Sequence, residues 1–157
     1  MWANIRGMDE TLQSLTATSA LLEAAVTQLI AHSKLDTPRA PGKWSPRQIF
    51  AHLSDVEAVQ RVRVMAMLGE DRPVMLGFNA DSWAAAGEYA KRDARSSVAT
   101  FRALRTSNLE LWGALTPDQL ERRGTHPTRG EFSIAEWLGF VAKHDLNHLS
   151  QLEASLS

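Results

Sequence analysis

Four stretches of this 157-residue chain place apolar residues at alternating spacings of three and four, and none shows the convincing period-two alternation of a half-buried strand. Each stretch therefore carries one apolar stripe on a helix, and four such stripes can bury one another by forming a bundle. The first runs over residues 8–33, through Leu12, Leu15, Ser19, Leu22, Val26 and Leu29. The second begins at Ser45 and reaches about Leu68; the third covers about 93–115, with Val98, Phe101, Leu104, Asn108, Leu111 and Leu115 on one face. The fourth starts at Ser133 and continues nearly to the end. The expected fold is an all-α four-helix bundle in a single domain spanning residues 1–157, a size that buries a core without staples.

Three helix starts are written out as capping boxes: Ser45-Pro46-Arg47-Gln48, Thr116-Pro117-Asp118-Gln119 and Ser133-Ile134-Ala135-Glu136. The hydroxyl takes up one free backbone N–H, and the Gln or Glu three residues on reaches back to another. Proline in the first helical turn loses nothing, because that N–H had no partner. Trp44 with Ile49, Leu115 with Leu120 and Phe132 with Trp137 are spaced as hydrophobic staples. Residues 37–43 and 122–131 read as tight loops. Residues 70–92 form a longer connection, partly helical or functional by its length and able to cross the bundle.

Composition narrows the chemistry. With no cysteine, disulfides, thiolate ligands and a cysteine nucleophile are excluded, which leaves imidazoles and carboxylates as metal ligands. A net charge of −1, with both signs spread along the chain, lacks the basic excess of a nucleic-acid binder. No apolar run reaches the roughly 20 residues of a membrane span, and no signal-peptide pattern opens the chain, so a cytoplasmic location is expected.

His144 and His148 stand four apart in the fourth helix, one above the other, which suits two imidazoles sharing one ion. His52 flanks the apolar stripe of the second helix, so neighbouring helices are able to aim three imidazoles at one point. Half-buried histidines also commonly donate to backbone carbonyls, and spacing alone leaves both readings open. Gln151 lies one turn beyond His148, placed to hold a ligand or to face solvent. Asp145 projects near the centre of an apolar stripe, an odd place for a carboxylate unless it orients an imidazole or meets an arginine. Gln60 and Arg63 fall on the inward side of the second helix as pocket candidates, with Arg63 long enough to snorkel outward instead. His32 and His126, near helix and loop ends, are expected in solvent.

Trp44-Ser45-Pro46 leading into His52-Leu53-Ser54-Asp55, and later His144-Asp145-Leu146-Asn147-His148-Leu149-Ser150-Gln151, resembles the DinB/YfiT-like superfamily over nearly the whole chain. The resemblance implies a four-helix bundle, often a homodimer, with a three-histidine site for a divalent metal, zinc or nickel most often. Carried over by position, the ligands are His52, His144 and His148. It further implies transfer of a low-molecular-weight thiol onto an electrophilic small molecule. A metal-dependent hydrolase using the same site, or a non-enzymatic metal- or ligand-binding dimer, are the alternatives. Asp145, Asp55 and Glu57 are the carboxylates near enough to matter, and none is marked as a base by position. Met65 and Leu146 project off their helices' core stripes, which with the resemblance predicts a symmetric homodimer.

Overall fold

The computed structural model describes residues 2–156, with side chains from residue 7 onward. Four long helices carry the fold: α1 (Trp2–Ala31), α2 (Pro46–Gly69), α4 (Ala94–Gly113) and α6 (Ile134–Glu153). Short α3 (Ala80–Ala86) and a 3₁₀ turn (Tyr89–Lys91) lie in the long connection, and α5 (Pro117–Leu120) precedes a hairpin of β1 (Arg123–His126) and β2 (Gly130–Ser133). All three capping boxes form, with Ser45, Thr116 and Ser133 each exchanging bonds with the Gln or Glu three residues on. The Phe132–Trp137 staple closes edge to face at 5.2 Å.

The order of helices around the bundle is not a simple up-and-down one. α1 and α2 each pack on both α4 and α6, so α1 and α2 face each other across a diagonal. Cross-bonds fix the directions. Along α2 and α4, Glu57 meets Arg105 and Arg61 meets the Ser107 carbonyl, which makes these neighbours parallel. His52 against His144 and Gln60 against Trp137 make α2 and α6 antiparallel. Parallel neighbours need a return the length of the bundle, and residues 70–93 supply it.

Two apolar clusters fill the interior. One gathers Leu22, Val26, Leu29, Phe50, Leu53, Phe101, Leu149 and Leu152; the other gathers Leu15, Val64, Met67, Trp112, Trp137, Leu138 and Val141. Between them lies a polar layer. Arg105, fully buried, donates to both oxygens of Glu57 at 2.8 and 2.6 Å, to Asp145 at 2.7 Å and to the Leu15 carbonyl at 3.0 Å. Asn108, the polar residue within the third segment's stripe, adds a 2.6 Å bond to Glu57. The stripe interruption at Asn108 thus marks this layer in the sequence.

Three expectations are corrected. The first helix begins earlier than residue 8, at Trp2. Residues 122–131 are not a plain loop: β1 and β2 pair from Arg123↔Ser133 to His126↔Gly130, and Thr125 also exchanges bonds with Pro73 and Met75 of the long connection. Each strand is only four residues and survives by lying on α2 and α6, too short for alternation to register. Its turn was nevertheless spelled out, because Pro127 follows the His126 carbonyl that accepts from Arg129 N–H, and Gly130 takes φ +89. Finally, Gly7–Ala31 does match a membrane span in length and mean hydropathy, 1.2. Leu15, Leu22, Val26 and Leu29 of that helix are buried in the bundle core, which accounts for the composition. Met65 and Leu146 are about half exposed, at 48% and 50%.

Candidate metal centre

His52 on α2 and His144 and His148 on α6 converge, each offering one nitrogen within 4.8 Å of the others. His52 Nε2 lies 3.3 Å from His144 Nε2. Two nitrogens bound tetrahedrally at about 2.0–2.1 Å from zinc are themselves about 3.3 Å apart, so the donor spacing fits an ion. A cation held there would take the place of the single proton that a hydrogen bond between these nitrogens requires.

The outer nitrogens set the tautomers. His144 Nδ1 donates to Asp145 Oδ1 at 3.2 Å, and His148 Nδ1 donates to Gln151 Oε1 at 2.9 Å. Both partners are acceptors, so each Nδ1 carries the proton and each Nε2 keeps its lone pair for a ligand bond. Asp145 is held by Arg105 from the polar layer, which fixes it and therefore the His144 ring. Thus Asp145 does both things its position suggested. His52 lacks such a tether: its Nδ1 is buried without a partner among the described residues, and the edge of Trp44 wedges the ring at 4.9 Å. Burial, with His144 and His148 beside it, pushes His52 down to about 3. Burial and His144 push His148 down to about 4 against the opposing pull of Gln151 and Asp145. Both are neutral near pH 7, the state in which imidazole binds a metal.

Cavities meet the cluster on two sides. One, about 330 Å³, lies beside His148 and Gln151 and is rimmed by Arg39, Lys43 and Trp44. The other, about 230 Å³, is lined by His52 and His144 at one part and by Gln60, Arg63, His126 and Trp137 elsewhere. A three-histidine cluster between two cavities differs from the closed, four-ligand arrangement of structural zinc.

The structure distributes the remaining candidates clearly. Gln60 is buried and accepts from Trp137 Nε1 at 2.9 Å. Arg63 does not snorkel: it is 4% exposed, donating from Nε and Nη2 to the Leu76 carbonyl, and sits between the rings of Phe78 and Trp137. His126 is not free in solvent either; the hairpin lays it flat on Trp137 at 5.6 Å, in the same cavity. His32 is exposed as expected. Of the carboxylates, Asp55 is occupied by Tyr89 and Arg92, and Glu57 by Arg105 and Asn108. Arg105, Arg129, which also lines this cavity, and the placement of His126 are not legible in the sequence, because each depends on packing between distant segments.

Known proteins match this architecture. The model of the DinB superfamily matches residues 14–152. Among curated proteins, "Putative metal-dependent hydrolase YfiT" of Bacillus subtilis is 28% identical over 145 residues, covering 92% of this chain and 81% of that protein. "Putative metal-dependent hydrolase OB0782" of Oceanobacillus iheyensis is 29% identical over 121 residues, covering 77% and 70%. A solved structure described as "YfiT from Bacillus subtilis is a probable metal-dependent hydrolase with an unusual four-helix bundle topology" superposes with a TM-score of 0.88 at 27% identity, over 94% of this chain and 85% of that one. With matching helices, matching span and a three-histidine cluster at the α2–α6 seam, the chain belongs to the DinB superfamily.

Proposed function

We propose that the protein is a metal-dependent hydrolase of a small molecule, with His52, His144 and His148 holding one divalent ion, zinc or nickel. The observation that carries this reading is the cluster of three converging imidazoles standing between two cavities. An ion held by these three imidazoles would supply Lewis acidity, the means of activating water for hydrolysis near neutral pH. The chain's own residues hold and aim. Asp145 and Gln151 keep two rings in the ligating tautomer, and Trp44 packs the third. Phe78, Trp137 and Phe140 give the substrate an apolar wall that excludes water.

Thiol transfer takes second place. It needs a thiol from outside, since the chain has no cysteine, and no residue here specifies one. The relatives' names point to hydrolysis instead. The proposal includes a symmetric homodimer, supported by the exposed Met65 and Leu146.

The test is a panel of small esters and amides with metal-loaded protein, with and without low-molecular-weight thiols. Thiol-independent turnover that is lost on chelation, restored by metal, and abolished together with stoichiometric metal in His52→Ala, His144→Ala and His148→Ala is expected. Turnover that requires an added thiol overturns the hydrolase reading. Full metal occupancy in a variant lacking both His144 and His148 overturns the site.

A further inference from the structure

The cavity beside His52 and His144 has an unusual electrostatic character for a place next to a divalent ion. None of its lining residues is Asp or Glu, yet two are arginines, Arg63 and Arg129. Arg63 is almost wholly buried and forms no ion pair among the described residues; its bonds go to the Leu76 carbonyl and the His126 ring, and its Nη1 makes none. A buried guanidinium without a counter-charge is costly. Burial and the Arg129 charge bring its pKa down to about 10, which still leaves it charged at neutral pH.

His126 completes the pattern. Its Nδ1 lies 3.3 Å from both the backbone nitrogen and the hydroxyl of Thr128. Its Nε2 lies 3.5 Å from Arg63 Nη2 and so keeps the guanidinium in the cavity. Arg63 Nη1, without a bond of its own, and the guanidinium of Arg129 are the donors left for a bound anion. Around them stand flat apolar faces: Phe78 and Trp137 on either side of Arg63, and Phe140 beneath Arg129 at 4.9 Å. At about 230 Å³ the cavity is smaller than the roughly 300–1,000 Å³ of a typical ligand pocket, so the group it accepts is small.

From this geometry we propose that the cavity is an anion subsite, in which Arg63, held by His126, and Arg129 bind an oxyanion group of a small substrate whose apolar body lies on Trp137 and Phe140. This rests on the hydrolase reading only for which molecule is turned over. The substrate class it names is a small organic carboxylate or phosphate ester whose scissile group reaches the three histidines while the charge stays on Arg63.

Calorimetric titration tests it without turnover, using phenylacetate, phenyl phosphate and neutral phenylacetamide as probes on metal-free protein, so that direct ligation of an ion contributes nothing. We expect at least one anion to bind ten-fold or more tighter than phenylacetamide; comparison of the two anions shows whether carboxylate or phosphate is preferred. Arg63→Met should weaken that anion ten-fold or more and leave phenylacetamide little changed. Because Arg63 also ties down the Leu76 carbonyl, the exposed Arg129→Gln serves as a second variant and should weaken the anion several-fold with an unchanged melting temperature. No preference of any probe anion over the amide, or a preference that survives both substitutions, overturns the subsite. Anion binding without turnover of any ester would overturn the hydrolase reading and leave the subsite standing.

Discussion

Replacing Arg105 by methionine should cost about 3–5 kcal/mol, because it strands two buried carboxylates. Glu57 and Asp145 have side chains only 2% exposed, and Arg105 is the cation that both share. Methionine roughly fills the space of the removed side chain and keeps contact with the neighbouring Phe101 and Trp112 rings, so the cavity contribution is small. What remains is the loss of four charge-assisted bonds, three to carboxylates and one to the Leu15 carbonyl, and the desolvation of the orphaned carboxylates. For a chain of this length the cost corresponds to a fall in melting temperature of about 6–20 °C, and it is a fifth or more of a typical domain stability of about 5–15 kcal/mol. Urea denaturation measures it, with an unchanged m-value confirming that the same transition is followed. A triple variant, Glu57→Gln with Arg105→Met and Asp145→Asn, should recover at least half the loss, since the penalty lies in unpaired charge. A loss below about 1 kcal/mol, typical of an exposed pair, would refute the buried-layer argument. So would a triple variant no more stable than the single one.

Two further outcomes follow from the metal centre. In metal-free protein, His52 and His148 sit at about 3 and about 4 when folded, against an ordinary value of 6.5, so the unfolded chain binds protons that the native state refuses. Their stabilising contribution is fully present above about pH 6.5 and is lost as pH falls through this window, with a slope of up to about 1.4 kcal/mol per pH unit for each. The difference in pH slope between wild type and His52→Leu isolates one share, and equal slopes between pH 6.5 and 4 would contradict it. Gln151→Ala should lower metal affinity about 10- to 100-fold by freeing the His148 ring, with little change in stability. Competition against a chelator reads this, and an unchanged affinity would count against the tether.

What the sequence disclosed and what it withheld divide along one physical line. Helix starts at Ser45, Thr116 and Ser133 are local, each set by a hydroxyl and a Gln or Glu within four residues, and all three form. The facing of His52, His144 and His148 is nearly as local, since helical phase alone puts each on the inward side. The order of the helices depends on how residues 70–93 return along the bundle, which no periodicity encodes. The same is true of His126 and Arg129. They reach the cavity only because the hairpin folds onto α6, and its strands are too short to show alternation. Arg63 illustrates the difference most sharply. Its position on α2 is legible, but whether it snorkels or stays inside is decided by the Leu76 carbonyl, thirteen residues on in the crossing segment.

The polar layer and the metal site are one construction. Apolar surfaces tolerate sliding, because a leucine packs nearly as well against one neighbour as the next. Arg105 on α4 does not, since it must meet Glu57 on α2, Asp145 on α6 and the Leu15 carbonyl on α1 at once. Shifting any one helix by a turn, about 5.4 Å, would break its bond and strand a buried charge. Axial register is therefore set at this level for all four helices. His144 directly precedes Asp145, and His52 lies five residues before Glu57, so the same register carries the imidazoles of α2 and α6 to within 3.3 Å of each other. A carboxylate in the middle of an apolar stripe thus has a structural reason that is also a chemical one: through Arg105 it aligns the bundle, and through His144 it aims a ligand.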